Sequence, residues 1–127
     1  SSADVAAFLA ALPATAATGK RITIDTIGTT GEGRPVLRAV ACAGTSCPDL
    51  TRPVAKPVLW IQGNIHGGEV EGKEAALALL RDLVQGAAPN ALDSLVLVVV
   101  PNYNGDGNDA LAPQAVQRTE QQGPELV

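Results

Sequence analysis

The sequence holds a single histidine, His66, and a glutamate, Glu69, stands three positions after it. An imidazole and a carboxylate in this H-x-x-E spacing can converge on one divalent cation. Zinc accepts both ligand types, and a catalytic zinc normally has three protein ligands plus an open position for water. The pair therefore offers two donors, and a third must come from elsewhere. The neighbouring residues suit the task. Val58-Leu59-Trp60-Ile61-Gln62 reads as a short apolar strand, residues 63–68 as a glycine-rich turn, and Glu69 onward as the first turn of a helix.

The elements that must position this junction follow from periodicity. Residues 4–12 (DVAAFLAAL) suit an amphipathic helix with Val5, Phe8, Leu9 and Leu12 on one stripe, ended by Pro13. Residues 21–27 (RITIDTI) alternate apolar and polar side chains and read as a half-buried strand. A glycine-rich turn through Pro35 leads into a second strand over residues 36–42, which makes a hairpin. Residues 44–56 carry turn residues and two prolines and read as a surface loop. The helix after His66 has Glu69, Glu71 and Glu74 near its positive end, a stripe of Val70, Leu77, Leu80 and Val84, and Gly86 as a stop. Residues 95–100 (LVLVVV) are continuously apolar and predict a strand buried on both faces. Strand, helix and strand in that order predict a crossover within an α/β sheet. Residues 102–108 form an Asn- and Gly-rich turn, too irregular for an EF-hand calcium loop, and residues 110–127 read as an extended surface segment.

Composition narrows the partners. With 127 residues, the chain has room for one small domain over 1–127, and 46% hydrophobic residues supply a core although aromatics are only 2%. A net charge of −4 gives no electrostatic reason to expect nucleic acid or an anionic membrane. No apolar run approaches the roughly 20 residues of a membrane-spanning helix. Cys42 and Cys47 flank four residues, Ala-Gly-Thr-Ser. A disulfide closing so short a loop is sterically possible and worth about 2 kcal/mol on the chain-entropy model, and free thiols are the alternative. A bonded pair points to an oxidising compartment, secreted or periplasmic.

Three segments together resemble the zinc metallocarboxypeptidases of the carboxypeptidase A type. Gly31-Glu32-Gly33-Arg34-Pro35 is similar to that family's E-G-R turn in the first hairpin. Ile65-His66-Gly67-Gly68-Glu69 is similar to its strand-end zinc motif, and Pro101-Asn102-Tyr103-Asn104-Gly105-Asp106-Gly107 to its N-P-D-G turn, with Gly105 in place of proline. The resemblance runs from about residue 22 to residue 123. It implies a Zn²⁺-dependent exopeptidase acting on peptide C-termini, with His66 and Glu69 as metal ligands and Arg118 as the arginine that stabilises the oxyanion. It implies a mixed α/β sheet with flanking helices, and it implies an incomplete domain. The family's third ligand is a downstream histidine, its carboxylate-binding Asn–Arg pair falls after Val127, and its general base comes later still.

The expectation is therefore the N-terminal part of a zinc carboxypeptidase domain, truncated on its C-terminal side, inactive alone and binding zinc weakly. Its exposed sheet edge would be covered by the missing C-terminal part of the same domain or by a second copy. Two other classes stay open. Aspartoacylase- and succinylglutamate desuccinylase-like amidohydrolases have a strand-end motif similar to residues 63–67, and a non-catalytic fragment or pseudoenzyme would equally lack the third histidine.

Overall fold

A computed structural model describes residues 1–87 and 89–110. It contains helix α1 (Ser2–Ala11), a 3₁₀ turn (Leu12–Thr15), strands β1 (Lys20–Thr29), β2 (Pro35–Ala43) and β3 (Val58–Gln62), and helix α2 (Val70–Val84). A second 3₁₀ turn (Ala91–Asp93), strand β4 (Val96–Val100) and the short helix α3 (Gly105–Asp109) follow. The strands form one sheet in the order β1-β2-β4-β3. β1 and β2 form the antiparallel hairpin, β2 pairs antiparallel with β4, and β3 pairs parallel with β4 through α2. The sheet is mixed.

Each face of β4 has its own core. Leu97 and Val99 meet Ala39, Ala41 and Ile22, and are covered by Val5 and Leu9 of α1, Leu12 of the 3₁₀ turn after it, and Leu77, Leu80 and Val84 of α2. On the opposite face Val96 and Val98 pack with Val40 and Cys42, and Cys47, Leu50 and Val54 of the 44–57 loop close over them. A Cys42–Cys47 disulfide ties that loop to β2, with Cα atoms 5.5 Å apart. All five residues of β4 are buried, because it has a strand on each side and cover on both faces.

Two helix ends have plain causes. Ser1 and Asp4 form a reciprocal capping box, so α1 starts two residues earlier than periodicity alone suggests. At the end of α2, Gly86 adopts φ +90°. Its N–H donates to Leu83 O at 3.2 Å and that of Ala87 to Asp82 O at 2.9 Å, the bond pair of a Schellman stop.

Two expectations need correcting. Val70 is exposed at the first position of α2 and does not join the stripe of Leu77, Leu80 and Val84. In β1 only Ile22 is buried, since the strand lies at one edge of the sheet. β3 lies at the other edge. Val58, Leu59 and Trp60 are 46%, 46% and 49% exposed, an apolar edge of the type expected from the sequence. Among the described residues no helix is long and apolar enough to cross a membrane.

Candidate metal centre

The chain leaves β3 by continuing its partnership with the end of β4. Gly63 N–H donates to Val100 O at 2.9 Å, Tyr103 N–H to Gly63 O at 3.2 Å and Asn104 N–H to Asn64 O at 3.0 Å. Two glycine- and asparagine-rich turns thus leave the carboxyl ends of two parallel strands side by side. This is where open α/β sheets place their ligands. The turns touch at Gly67, which is buried against Gly107 and Asn108.

The first turn presents the two donors. Glu69 N–H bonds His66 O at 3.0 Å, and Glu69 is the N-cap of α2. Capping is usual work for Ser, Thr, Asp or Asn, whose short side chains reach the first helical N–H groups. The Glu69 side chain makes no capping bond. It turns instead to His66, with Nδ1 and Oε2 3.0 Å apart, and both side chains are substantially exposed. Two donors each about 2.0–2.1 Å from a tetrahedral zinc would stand roughly 3.3 Å apart. An imidazole nitrogen and a carboxylate oxygen at 3.0 Å fit that requirement with a few tenths of an ångström of opening. Among the described residues no group of three or more His, Cys, Asp or Glu side chains gathers to hold a metal. Arg118 lies outside the described residues.

The second turn is less irregular than its composition suggests. Asn104 caps Gly107 N–H through its side chain at 2.9 Å, and residues 105–109 form one helical turn, α3. Asp106 links this turn to the β1–β2 hairpin. Its carboxylate accepts from Thr30 Oγ1 at 2.7 Å, from Glu32 N–H at 3.0 Å and from Arg34 at 2.6 Å. Arg34 also pairs with Glu32 and, at 3.3 Å, with Asp109. The G-E-G-R and N-G-D-G segments, separate in sequence, are thus one part-buried salt-bridged joint between the hairpin and the turn after β4.

For Asp106 burial is the largest single influence and opposes ionisation. The hydrogen bonds from Thr30, Glu32 and Arg34 together outweigh it and hold the carboxyl below its ordinary value. Asp109 is depressed in the same way: burial opposes, and Ser2, Asn108 and Arg34 prevail. A carboxyl whose folded pKa lies below its unfolded value of about 3.9 stabilises the fold above that pH, and the contribution disappears as pH falls through the folded pKa. Asp106→Asn should therefore cost about 2 kcal/mol near neutrality, the scale of a charged hydrogen bond left unmade. Urea unfolding should show the gap between wild type and variant closing as pH falls below the ordinary aspartate value of about 3.9. A gap that stays constant with pH would contradict this account.

Sequence reasoning missed a buried polar group behind the site. Asn64, Lys73, Asn102 and Asn108 are all less than a tenth exposed. Nothing in the local sequence singles out Lys73; its burial and its distance of 2.5 Å to Asn108 Oδ1 reveal it.

Comparison with known proteins bears on the family and the fold. The family model for zinc carboxypeptidases matches residues 8–125. Carboxypeptidase 2 of Trichophyton equinum is 43% identical over 51 residues, covering 39% of this chain and 10% of that protein. Carboxypeptidase E of Caenorhabditis elegans is 32% identical over 105 residues, covering 76% of this chain and 21% of that protein. A metallo-carboxypeptidase structure from Burkholderia cenocepacia superimposes with a TM-score of 0.61 at 23% identity, covering 91% of this chain and 33% of that one, which supports the fold. The chain thus spans between a tenth and a third of the length of these proteins. With the motif order, the sheet and the family match in agreement, the chain belongs to the zinc carboxypeptidase family.

Proposed function

We propose that this chain contributes His66 and Glu69 to the catalytic zinc of a metallocarboxypeptidase that hydrolyses C-terminal peptide bonds. The observation that carries the reading is the approach of Nδ1 and Oε2 to 3.0 Å at the carboxyl ends of two parallel strands, in a chain of this family. The bound zinc would polarise the scissile carbonyl and lower the pKa of its water. His66 and Glu69 would fix the ion at the strand ends, and Arg118 would steady the oxyanion as the carbonyl is attacked. The sequence has no second histidine, so we assign the third ligand and the general base to a continuation of the same domain. The substrate is a peptide with a free C-terminal carboxylate. The Cys42–Cys47 disulfide supports a secreted or periplasmic protein.

The test is hydrolysis by the intact protein before and after metal removal. A chelator should abolish release of C-terminal residues, and stoichiometric Zn²⁺ should restore it. A C-terminally amidated peptide should be a poor substrate. Hydrolysis of N-acyl amino acids in preference to peptides, or activity indifferent to chelation, would overturn the reading.

A further inference from the structure

We propose that Lys73, Asn108 and Asn64 form a positioning device that holds the turn after β3 in the shape that presents His66 and Glu69. The proposal rests on the zinc reading above and concerns how the ligands are held. Lys73 lies on α2 one turn beyond Glu69, is 5% exposed, and places Nζ 2.5 Å from Asn108 Oδ1. Its ion-pair contact with Glu74 is long, at 3.6 Å, and the Glu74 side chain is largely exposed. A buried ammonium aimed at a neutral amide is costly, so it marks a position that the surrounding structure enforces.

The directions of the hydrogen bonds run one way from that cation. An ammonium only donates, so Asn108 must turn its Oδ1 to Lys73. Its Nδ2 then faces Asp109 Oδ1 at 2.6 Å. Asn64 must meet that oxygen with Nδ2, at 3.3 Å, and the same Nδ2 donates to Asn102 Oδ1 at 2.6 Å. Asn102 in turn donates to Ser2 Oγ at 2.9 Å, which donates to Gly105 O at 3.2 Å. Every carboxamide orientation is thereby set. The arrangement leaves Asn64 Oδ1 buried with no hydrogen-bond partner among the described residues.

Asn64 also carries the backbone of the turn. Its φ is +56°, the only positive value at a non-glycine residue among those described, and asparagine tolerates this region better than most residues. Its carbonyl accepts Asn104 N–H, so both its side chain and its main chain are tied to the second turn. Two residues later comes His66. The network therefore fixes the peptide that leads into the ligand pair, and Lys73 fixes the network from the helix that begins at Glu69.

The variants are Lys73→Met, which keeps length and loses the donor, Lys73→Arg, which keeps donors, and Asn64→Gly, which keeps the positive φ and loses the carboxamide. Each is read in the intact protein by amide hydrogen exchange without metal and by the visible spectrum and affinity of added Co²⁺. We expect Lys73→Met and Asn64→Gly to speed exchange at Glu69 and Asn104 by roughly tenfold while the β1–β2 ladder stays unchanged. Co²⁺ affinity should fall by about 10–100-fold, and Lys73→Arg should recover much of both. Unchanged exchange at Glu69 and Asn104, or equal acceleration across the ladder, would overturn the proposal. If Lys73→Met does not fold, Asn64→Gly decides alone. Should the turn loosen as expected while wild type and His66→Ala bind Co²⁺ alike, the positioning device stands and the zinc reading fails.

Discussion

His66→Ala in the intact protein is expected to weaken zinc binding by about two orders of magnitude while leaving the fold intact. Zinc held by four protein ligands is worth about 10–16 kcal/mol at neutral pH, so one ligand accounts for roughly 3 kcal/mol, or a little over a hundredfold. Glu69→Gln should also lose at least about tenfold, since the amide keeps the shape but loses the charge that attracts the ion. The stability of the metal-free protein should hardly move. Both side chains stand well out in solvent, and surface substitutions usually change stability by less than about 0.5 kcal/mol. Glu71→Gln is the control. It sits in the same helical turn and contributes only its charge near the helix dipole, so zinc affinity should stay within about a factor of two. Competition with a chromogenic chelator gives the affinities, and thermal melts of the metal-free proteins give the stabilities. If His66→Ala and wild type bind zinc equally, the histidine is a surface residue in a glycine-rich turn and nothing more.

How far the fold and the site could be read in advance depended on how local each signal is. β4 was legible because five consecutive β-branched or leucine side chains have one physical home, the middle of a sheet. β3 matched its expected bounds residue for residue, yet its apolar composition says nothing about strand order, and its place at the edge leaves Trp60 half-exposed. Val70 was read into the core by spacing alone. It precedes the turn at which α2 lies down on the sheet, so its side chain meets solvent. Helix α3 was hidden because Gly-Asp-Gly has poor helix propensity, and a single Asn104 side-chain cap suffices for one turn. His66 and Glu69 were legible as a pair because their contact spans three residues. Lys73, Asn108 and Asp106 were not, because their partners lie more than thirty positions away and only the pairing of β3 and of β2 with β4 brings them together.

The same juxtaposition predicts the most damaging small substitution, Gly67→Ala. A Cβ at Gly67 would lie 2.1 Å from the carbonyl carbon of Gly107, 2.5 Å from its oxygen and 2.6 Å from Asn108 N. All three are backbone atoms, so no side chain can swing aside. One methyl would have to push apart the two turns that end β3 and β4. Overpacking a core costs about 1–3 kcal/mol when side chains can give way, and a backbone-on-backbone overlap belongs at or above the top of that range. At about 3 kcal/mol the midpoint of thermal unfolding should fall by roughly 10–15 °C for a domain of this size. Zinc affinity should fall with it, since the turn that separates from Gly107 is the one that holds His66. Gly72→Ala is the informative contrast. It lies inside the first turn of α2, and an added Cβ would meet only the Gly63 Cα at 4.0 Å, an ordinary contact. There alanine should raise stability by about 0.5–1 kcal/mol through helix propensity. Two glycine-to-alanine changes five residues apart should therefore move the melting point in opposite directions. Equal effects would mean that the close approach of the two turns does not exist in solution, and with it would go the physical reason for a glycine beside His66.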